Sequence, residues 1–151
     1  MAPPKIPPVA LALLVAGMMW LTSRLAPAFA TVLPASRVVA VCLGVLGIGI
    51  AAAGVVSFRR AATTVNPMRP ETASSLVVTG VYRFTRNPMY LGLLILLLGW
   101  AVFLSNAVGF VWLPAFMLIM NRVQIAAEES ALAALFGPEF TRYRMNVRRW
   151  L

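Results

Sequence analysis

The sequence predicts an all-α integral membrane protein with about four transmembrane helices, and three observations lead to this prediction. The chain of 151 residues is 61% hydrophobic and only 11% charged, whereas soluble domains have about 25% charged residues. Its basic residues lie between long apolar segments, where they would contact lipid headgroups. A chain of this length has room for one domain, so 1–151 is predicted to be a single membrane-embedded unit.

Composition also excludes several classes of site and partner. The net charge of +9 would favour nucleic acid only if the arginines formed one polar surface, so membrane lipids are predicted as partners and nucleic acid is not. With no histidine and only four acidic residues, the usual zinc sites and the Ser-His-Asp triad are excluded, and no metal is predicted. The single cysteine, Cys42, lies in an apolar segment and is interpreted as a small buried hydrophobic residue.

Four apolar segments are interpreted as spans: about 9–29, 38–58, 89–103 and 107–124. The second has no charged residue and about the length that a bilayer core requires. The third would rise only about 22 Å, which is short for a spanning helix. Only Leu104–Asn106 separates the third segment from the fourth, and so short a connection predicts an antiparallel helical hairpin.

The N-terminal segment has a second interpretation. Lys5, a short apolar stretch and Ala28-Phe29-Ala30 also resemble a signal peptide with its cleavage site. Because Arg24 lies in the would-be cleavage region, we expect the segment to be retained as the first span.

The distribution of arginines predicts the orientation of the chain in the membrane. The connection 59–87 and the tail after the fourth span are rich in arginine, whereas the connection between the first two spans has only Arg24 and Arg37. By the positive-inside rule, the segment 59–87 and both termini are predicted to be cytoplasmic. Four spans agree with termini on the same side.

The second span is rich in glycine and alanine over residues 44–54. Small residues let helices approach closely in lipid, so we predict tight packing of this span inside the bundle. Homodimerisation through the same small residues is the alternative interpretation.

The tail 128–151 is predicted to form an amphipathic helix, broken near Gly137-Pro138. Apolar residues recur there at intervals of three and four, with arginines between them. They are Phe136, Phe140, Tyr143, Val147 and Trp150. Such a helix is typical of an interfacial anchor, and a role in a site would require it to pack against the middle segment as well.

Two polar segments at the open end of the predicted hairpin are the candidates for a functional site. Gly80–Gly92 places arginines, an Asn-Pro pair and tyrosines where the third helix begins, and Glu128-Glu129 follow the fourth helix. Because the hairpin is antiparallel, Arg86 and Tyr90 are expected to lie beside the Glu pair. Such a pocket would offer a carboxylate to a cation, an arginine to an anion and aromatic rings to a planar group. Taken alone, a Glu pair is more often a solvated helix end, but the convergent segment favours a site.

Residues 80–151 resemble a superfamily of integral-membrane methyltransferases that use S-adenosylmethionine. The first part of the pattern looks like the phospholipid N-methyltransferases: Asn87-Pro88-Met89-Tyr90 and Gly92, then a hairpin and Glu128-Glu129. The tail looks more like the isoprenylcysteine carboxyl methyltransferases: Leu132, Phe136-Gly137, Glu139-Phe140, Tyr143 and Val147-Arg148-Arg149-Trp150. The first two spans carry no motif of this kind.

The resemblance implies a site for S-adenosylmethionine at the cytoplasmic face, with S-adenosylhomocysteine as the product. Its cofactor-binding positions would be Tyr82, Arg86, Asn87, Pro88, Tyr90, Leu91, Glu128 and Glu129. Either glutamate would hold the ammonium group, and Arg86 would hold a carboxylate of the cofactor or of the acceptor. The catalytic candidates are Arg86, Glu129 and Arg148. Arg86, Arg148 or Arg149 could orient an acceptor carboxylate. In-line methyl transfer relies mainly on positioning and desolvation, which a chain without histidine can supply.

The resemblance leaves the acceptor open. Isoprenylcysteine enzymes usually have histidine where this chain has Asn87, whereas the phospholipid branch has asparagine, which does not titrate near neutral pH. The acceptor is therefore a lipophilic or prenylated carboxylate, or the amine of a phospholipid. A carboxylate is favoured because it is already nucleophilic at neutral pH, whereas an amine must first lose a proton.

A non-catalytic membrane scaffold or a small transporter subunit is the alternative function. A transporter is expected to place ionisable residues in the middle of the membrane. The predicted spans are nearly free of charge apart from Arg24, and polar residues gather at one interface, which favours an interfacial enzyme site.

Overall fold

The computed structural model describes residues 6–61 and 73–151. Within these ranges the chain is helical, with one isolated bridge between Ala30 and Asn106. The α-helices are α1 (Pro8–Leu25), α2 (Ser36–Arg60), α3 (Pro88–Leu104), α4 (Trp112–Ile119) and α5 (Ala126–Asn146). Part of the predicted cytoplasmic connection, 62–72, lies outside the described residues.

Among the described residues, three helical stretches are long and apolar enough to cross a membrane: α1, α2 and Ala107–Asn146. The third stretch joins a 3₁₀ turn (Ala107–Val111), α4, a π-helical turn (Met120–Ile125) and α5. α3 is apolar but has only 17 residues, as its short segment predicted. The chain is therefore a multi-pass, all-α membrane protein, and the predicted fold class is confirmed.

Two helix ends differ from the bounds that the sequence suggested. α1 ends at Leu25 instead of near residue 29, because Pro27 disfavours helical backbone at the residue before it. α5 ends at Asn146, and Val147 is extended, so the last residues are not helical as the range 128–151 implied. The predicted break is present, since Gly137 has a φ of 46° and a ψ of −117° inside α5.

The apolar core lies where α1, α3 and the α4 stretch meet. Met19 of α1, Ala101 of α3 and Phe116 of α4 are all fully buried there. The far end of the bundle is closed by Asn106, whose side chain donates to the carbonyl of Ala26 at 2.9 Å and accepts from the Val108 amide. These hydrogen bonds fix the short turn after α3, which consists of Ser105 and Asn106, and the predicted hairpin is confirmed.

α2 packs against α3 through glycine. A methyl group on Gly92 would lie 2.5 Å from the Gly47 carbonyl oxygen and 2.8 Å from the Ala51 side chain, so the two backbones are in direct contact. The predicted tight packing of the second span is confirmed. Most of α2 otherwise faces outward, and Cys42 is exposed, so the prediction that this cysteine is buried was wrong. Homodimerisation through α2 stays a prediction.

Gly92→Val is expected to destabilise the protein by about 1–3 kcal/mol, because the added atoms would overlap the Gly47 carbonyl oxygen and the Ala51 side chain. Thermal unfolding in detergent measures the effect. Gly49→Val is the matched control, since Gly49 lies on an exposed part of α2 with no other atom within 4 Å of the added carbon. Equal unfolding midpoints for the two variants would contradict the proposed contact between α2 and α3.

Candidate active site

The segment 80–87 is held between α2 and α3. Gly80, with a φ of 62°, starts a 3₁₀ turn (Gly80–Arg83) in a conformation that favours glycine. This turn buries Tyr82, whose ring meets Phe58 of α2 edge to face with centroids 5.2 Å apart. Pro88 is the first residue of α3, a position where the missing N–H leaves no helical hydrogen bond unmade. Arg86 is thus presented just before α3 begins.

A π-helical turn precedes the Glu pair on the opposite side of the site. Such turns occur often at functional sites, because they change the direction in which the following side chains point. Within this turn, the side chain of Gln124 donates to Glu128 Oε1 at 2.8 Å. The Tyr90 hydroxyl donates to the same oxygen across the hairpin. The predicted meeting of the start of α3 with the Glu pair is confirmed.

Glu128 is held by uncharged donors. Among the described residues, no arginine forms an ion pair with it; both ion pairs of the site belong to Glu129. A partly buried carboxylate without a counter-ion is unfavourable. Glu128 is therefore the acidic group of the site that is available to a cationic ligand.

Glu129 is shared by two arginines. Arg149 binds both of its oxygens, with Nε 3.1 Å from Oε1 and Nη2 2.6 Å from Oε2. Arg86 Nη2 lies 3.3 Å from Oε1. The Arg86 and Glu129 side chains are only 11% and 12% exposed, so this cluster keeps one net positive charge in a poorly solvated place.

Two N–H donor atoms of Arg86 have no acceptor among the described residues. Its Nε and Nη1 are buried and have no hydrogen-bond partner within the part of the chain that the structure describes. Burial lowers the pKa of the Arg86 guanidinium, an effect that Glu129 opposes, and an arginine side chain stays charged in proteins. Leaving a buried donor without an acceptor is unfavourable, so these two N–H groups indicate a place for an anionic ligand.

The last residues, 147–151, lie back over the segment 80–87, and we call them the C-terminal strap. The Arg86 amide donates to the Arg148 carbonyl at 3.0 Å. The Arg149 carbonyl accepts from Asn87 Nδ2 at 2.9 Å and from the Thr85 hydroxyl at 3.3 Å. Trp150 donates to Asn121 Oδ1 in the π-helical turn. The tail therefore does pack against the middle segment, as a functional role required.

The structure brings most of the predicted site residues together but gives some of them other neighbours. Arg86, Tyr90, Glu128 and Glu129 form one polar cluster. Tyr82, Pro88 and Leu91 are buried beside it. The Asn87 side chain binds the strap, and the Arg148 side chain is exposed. Their functional roles stay predictions.

Several neighbours of the cluster were not among the predicted site residues. They are Thr85, Asn121, Gln124 and Tyr143. Gln124 has a sequence signal, because it lies four residues before Glu128 and so on the same helical face. The contacts of Thr85 and Asn121 with the strap arise only when the strap folds back, and no local pattern indicates them.

Fold and site together define a helical membrane protein with acidic and basic side chains clustered at one end of its bundle. Its sequence matches the profile of the phospholipid methyltransferase family over residues 35–139, which is more than half of the chain. The chain therefore belongs to the phospholipid methyltransferase family.

Individual relatives carry the name of the isoprenylcysteine branch or no functional name. Two proteins named probable protein-S-isoprenylcysteine O-methyltransferase, from Oryza sativa subspecies indica and japonica, are each 34% identical over 110 residues, covering 71% of this chain and 56% of theirs. The protein-S-isoprenylcysteine O-methyltransferase of Schizosaccharomyces pombe is 32% identical over 72 residues, covering 48% of this chain and 30% of its own. An uncharacterised Haemophilus influenzae protein is 46% identical over 63 residues, its entire length and 42% of this chain.

The chain thus spans about half the length of the rice relatives and about a third of the fission yeast one. No solved structure matches it.

Proposed function

We propose that this protein transfers a methyl group from S-adenosylmethionine to a lipophilic acceptor at the membrane surface. Family membership supports the reaction class. One observation carries the site: Glu128 has no cationic partner among the described residues, while Arg86 has two buried N–H donors without an acceptor there. The site therefore complements a ligand with both a positive and a negative group.

The residues present fit S-adenosylmethionine. Its amino-acid end carries an ammonium and a carboxylate, which Glu128 and Arg86 would hold as charge-assisted hydrogen bonds. Tyr90 and Gln124 hold the Glu128 carboxylate in one orientation. When bound, S-adenosylmethionine supplies a methyl group on a positively charged sulfur, and its loss leaves S-adenosylhomocysteine.

The protein's own contribution is to position both reactants and to exclude water. An activated methyl group needs an aligned nucleophile more than it needs an acid or a base. Tyr82, Asn87 and Pro88 are buried beside the charged cluster, and poor solvation strengthens each charged contact there. A chain without histidine is compatible with this chemistry.

We favour a carboxylate oxygen as the acceptor atom, in a molecule of the prenylcysteine type. Such an acceptor brings no proton that must be removed, and the relatives with a specific name are isoprenylcysteine O-methyltransferases. The amine of a phospholipid is the second candidate, supported by the description of the family. An amine must lose a proton, and Glu128 is the carboxylate in the cluster that no arginine of the described residues neutralises.

The site would face the cytoplasm, where S-adenosylmethionine is available. Arg59 and Arg60 end α2 on the side of the site, and the strap arginines lie there as well. Arg24 and Arg37 lie at the opposite end of the bundle. The positive-inside rule supports this orientation.

A methyl-transfer assay separates the two acceptors. The full chain in lipid vesicles is given tritiated-methyl S-adenosylmethionine with either N-acetyl-S-farnesylcysteine or phosphatidylethanolamine. We expect label on the farnesylcysteine that alkali releases as methanol, since a methyl ester is base-labile, and none on the farnesyl analogue whose carboxylate is reduced to an alcohol. Base-stable label on phosphatidylethanolamine would assign the amine instead. Label on neither acceptor would contradict the proposal.

A further inference from the structure

The C-terminal strap contributes one charged side chain to the site. Arg149 enters the cluster from the strap, and its backbone carbonyl is fixed by Asn87 and by Thr85. Its guanidinium binds both oxygens of Glu129. The side chain is 35% exposed and reaches inward to a carboxylate that is 12% exposed. Arg149 is therefore held both through its backbone carbonyl and through its guanidinium group.

The contact of Arg149 with Glu129 limits the hydrogen bonds that Arg86 can form with the same carboxylate. Arg86 makes a single contact with Glu129, through Nη2 at 3.3 Å. A guanidinium and a carboxylate normally pair through two parallel hydrogen bonds. Without Arg149, both Glu129 oxygens would be free to accept from the Nε and Nη2 of Arg86. The Arg86 donors that now have no partner among the described residues would then be partly used inside the protein.

We infer that Arg149 is a positioning residue: by occupying Glu129, it keeps Arg86 turned toward the ligand as an anion receptor. The inference rests on the proposed function, because the anion is the carboxylate of the S-adenosylmethionine amino-acid end. Arg149 itself does not contact that carboxylate. Its removal reduces selectivity for a carboxylate-bearing ligand, whereas a merely structural residue would affect all ligands alike.

Calorimetry on the full chain in detergent, with two probes, tests the inference. The probes are S-adenosylhomocysteine and its decarboxylated analogue, which keeps the amine and lacks the carboxylate. The wild-type protein is expected to prefer S-adenosylhomocysteine by roughly 10- to 100-fold, the value of one charge-assisted contact. Arg149→Gln is expected to reduce this preference to within about threefold while the decarboxylated analogue still binds. Arg142→Gln, an exposed arginine on α5, should keep the wild-type preference.

The other outcomes test the role of Arg149 and the proposed function separately. If Arg149→Gln does not fold, Arg149→Lys replaces it, since lysine keeps the charge but cannot hold both oxygens of Glu129. The same loss of preference is expected in that variant. An unchanged preference, or an equal loss of affinity for both probes, would overturn the role of Arg149. A wild-type protein that binds neither probe would contradict the proposed function instead.

Discussion

Glu129→Ala is expected to lower the free energy of unfolding by about 3–5 kcal/mol, because it removes the only carboxylate that Arg86 and Arg149 share within the described residues. Two guanidinium groups would then lie close together without a counter-ion. The Arg86 side chain is only 11% exposed, so water compensates little for the loss. The strap would lose the contact of Arg149 with Glu129 at the same time.

Denaturant titration in mixed micelles measures this effect. Glu139→Ala is the matched control, because Glu139 lies on the same helix but is exposed. It should leave the free energy of unfolding within about 0.5 kcal/mol of the wild type. A Glu129→Ala protein as stable as the control would mean that the ion pairs of Arg86 and Arg149 do not hold the site together.

In contrast to Glu129→Ala, Glu128→Gln is expected to keep the fold and to weaken ligand binding. The glutamine oxygen can still accept from Tyr90 and Gln124, the two donors that now hold Glu128. The negative charge that would bind the ligand's ammonium is gone. Affinity for S-adenosylhomocysteine should fall by roughly 10- to 100-fold, the value of a hydrogen bond to a charged group. Glu129 is thus predicted to stabilise the fold of the cluster, whereas Glu128 is predicted to bind the ligand.

The sequence predicted the meeting of the two polar segments because one local feature determines it. Only Ser105 and Asn106 separate α3 from the following helical stretch, so the start of α3 and the Glu pair must lie side by side. Tyr90 with Glu128 and Arg86 with Glu129 are the resulting contacts. Apolar length and charge distribution likewise predicted the membrane fold, since both are properties of single segments.

The different partners of Glu128 and Glu129 were not predictable from the sequence. Adjacent residues on a helix point about 100° apart, and the π-helical turn before them shifts their direction by a further amount. The spacing of apolar residues in the sequence does not indicate the π-helical turn. Arg148 and Arg149 present the same difficulty: the sequence favoured Arg148 as a catalytic candidate, yet Arg149 makes the ion pair with Glu129.

The end of α5 shows how long-range contacts override a local pattern. Apolar residues continue at helical spacing to Trp150, which predicted a helix to residue 151. The backbone instead leaves the helix after Asn146, where the strap exchanges helical hydrogen bonds for bonds to Thr85, Arg86 and Asn87. These partners lie more than 60 residues away in the chain, beyond the reach of any local signal.

We propose that Glu128 and Arg86 bind the amino-acid end of S-adenosylmethionine. Calorimetric titration of S-adenosylhomocysteine tests this in the wild-type protein, in Glu128→Gln and in the exposed control Glu139→Gln, after an unfolding assay has shown that all three are folded. We expect the wild type and Glu139→Gln to bind alike, and Glu128→Gln to bind roughly 10- to 100-fold more weakly. Equal affinity in all three proteins would contradict it.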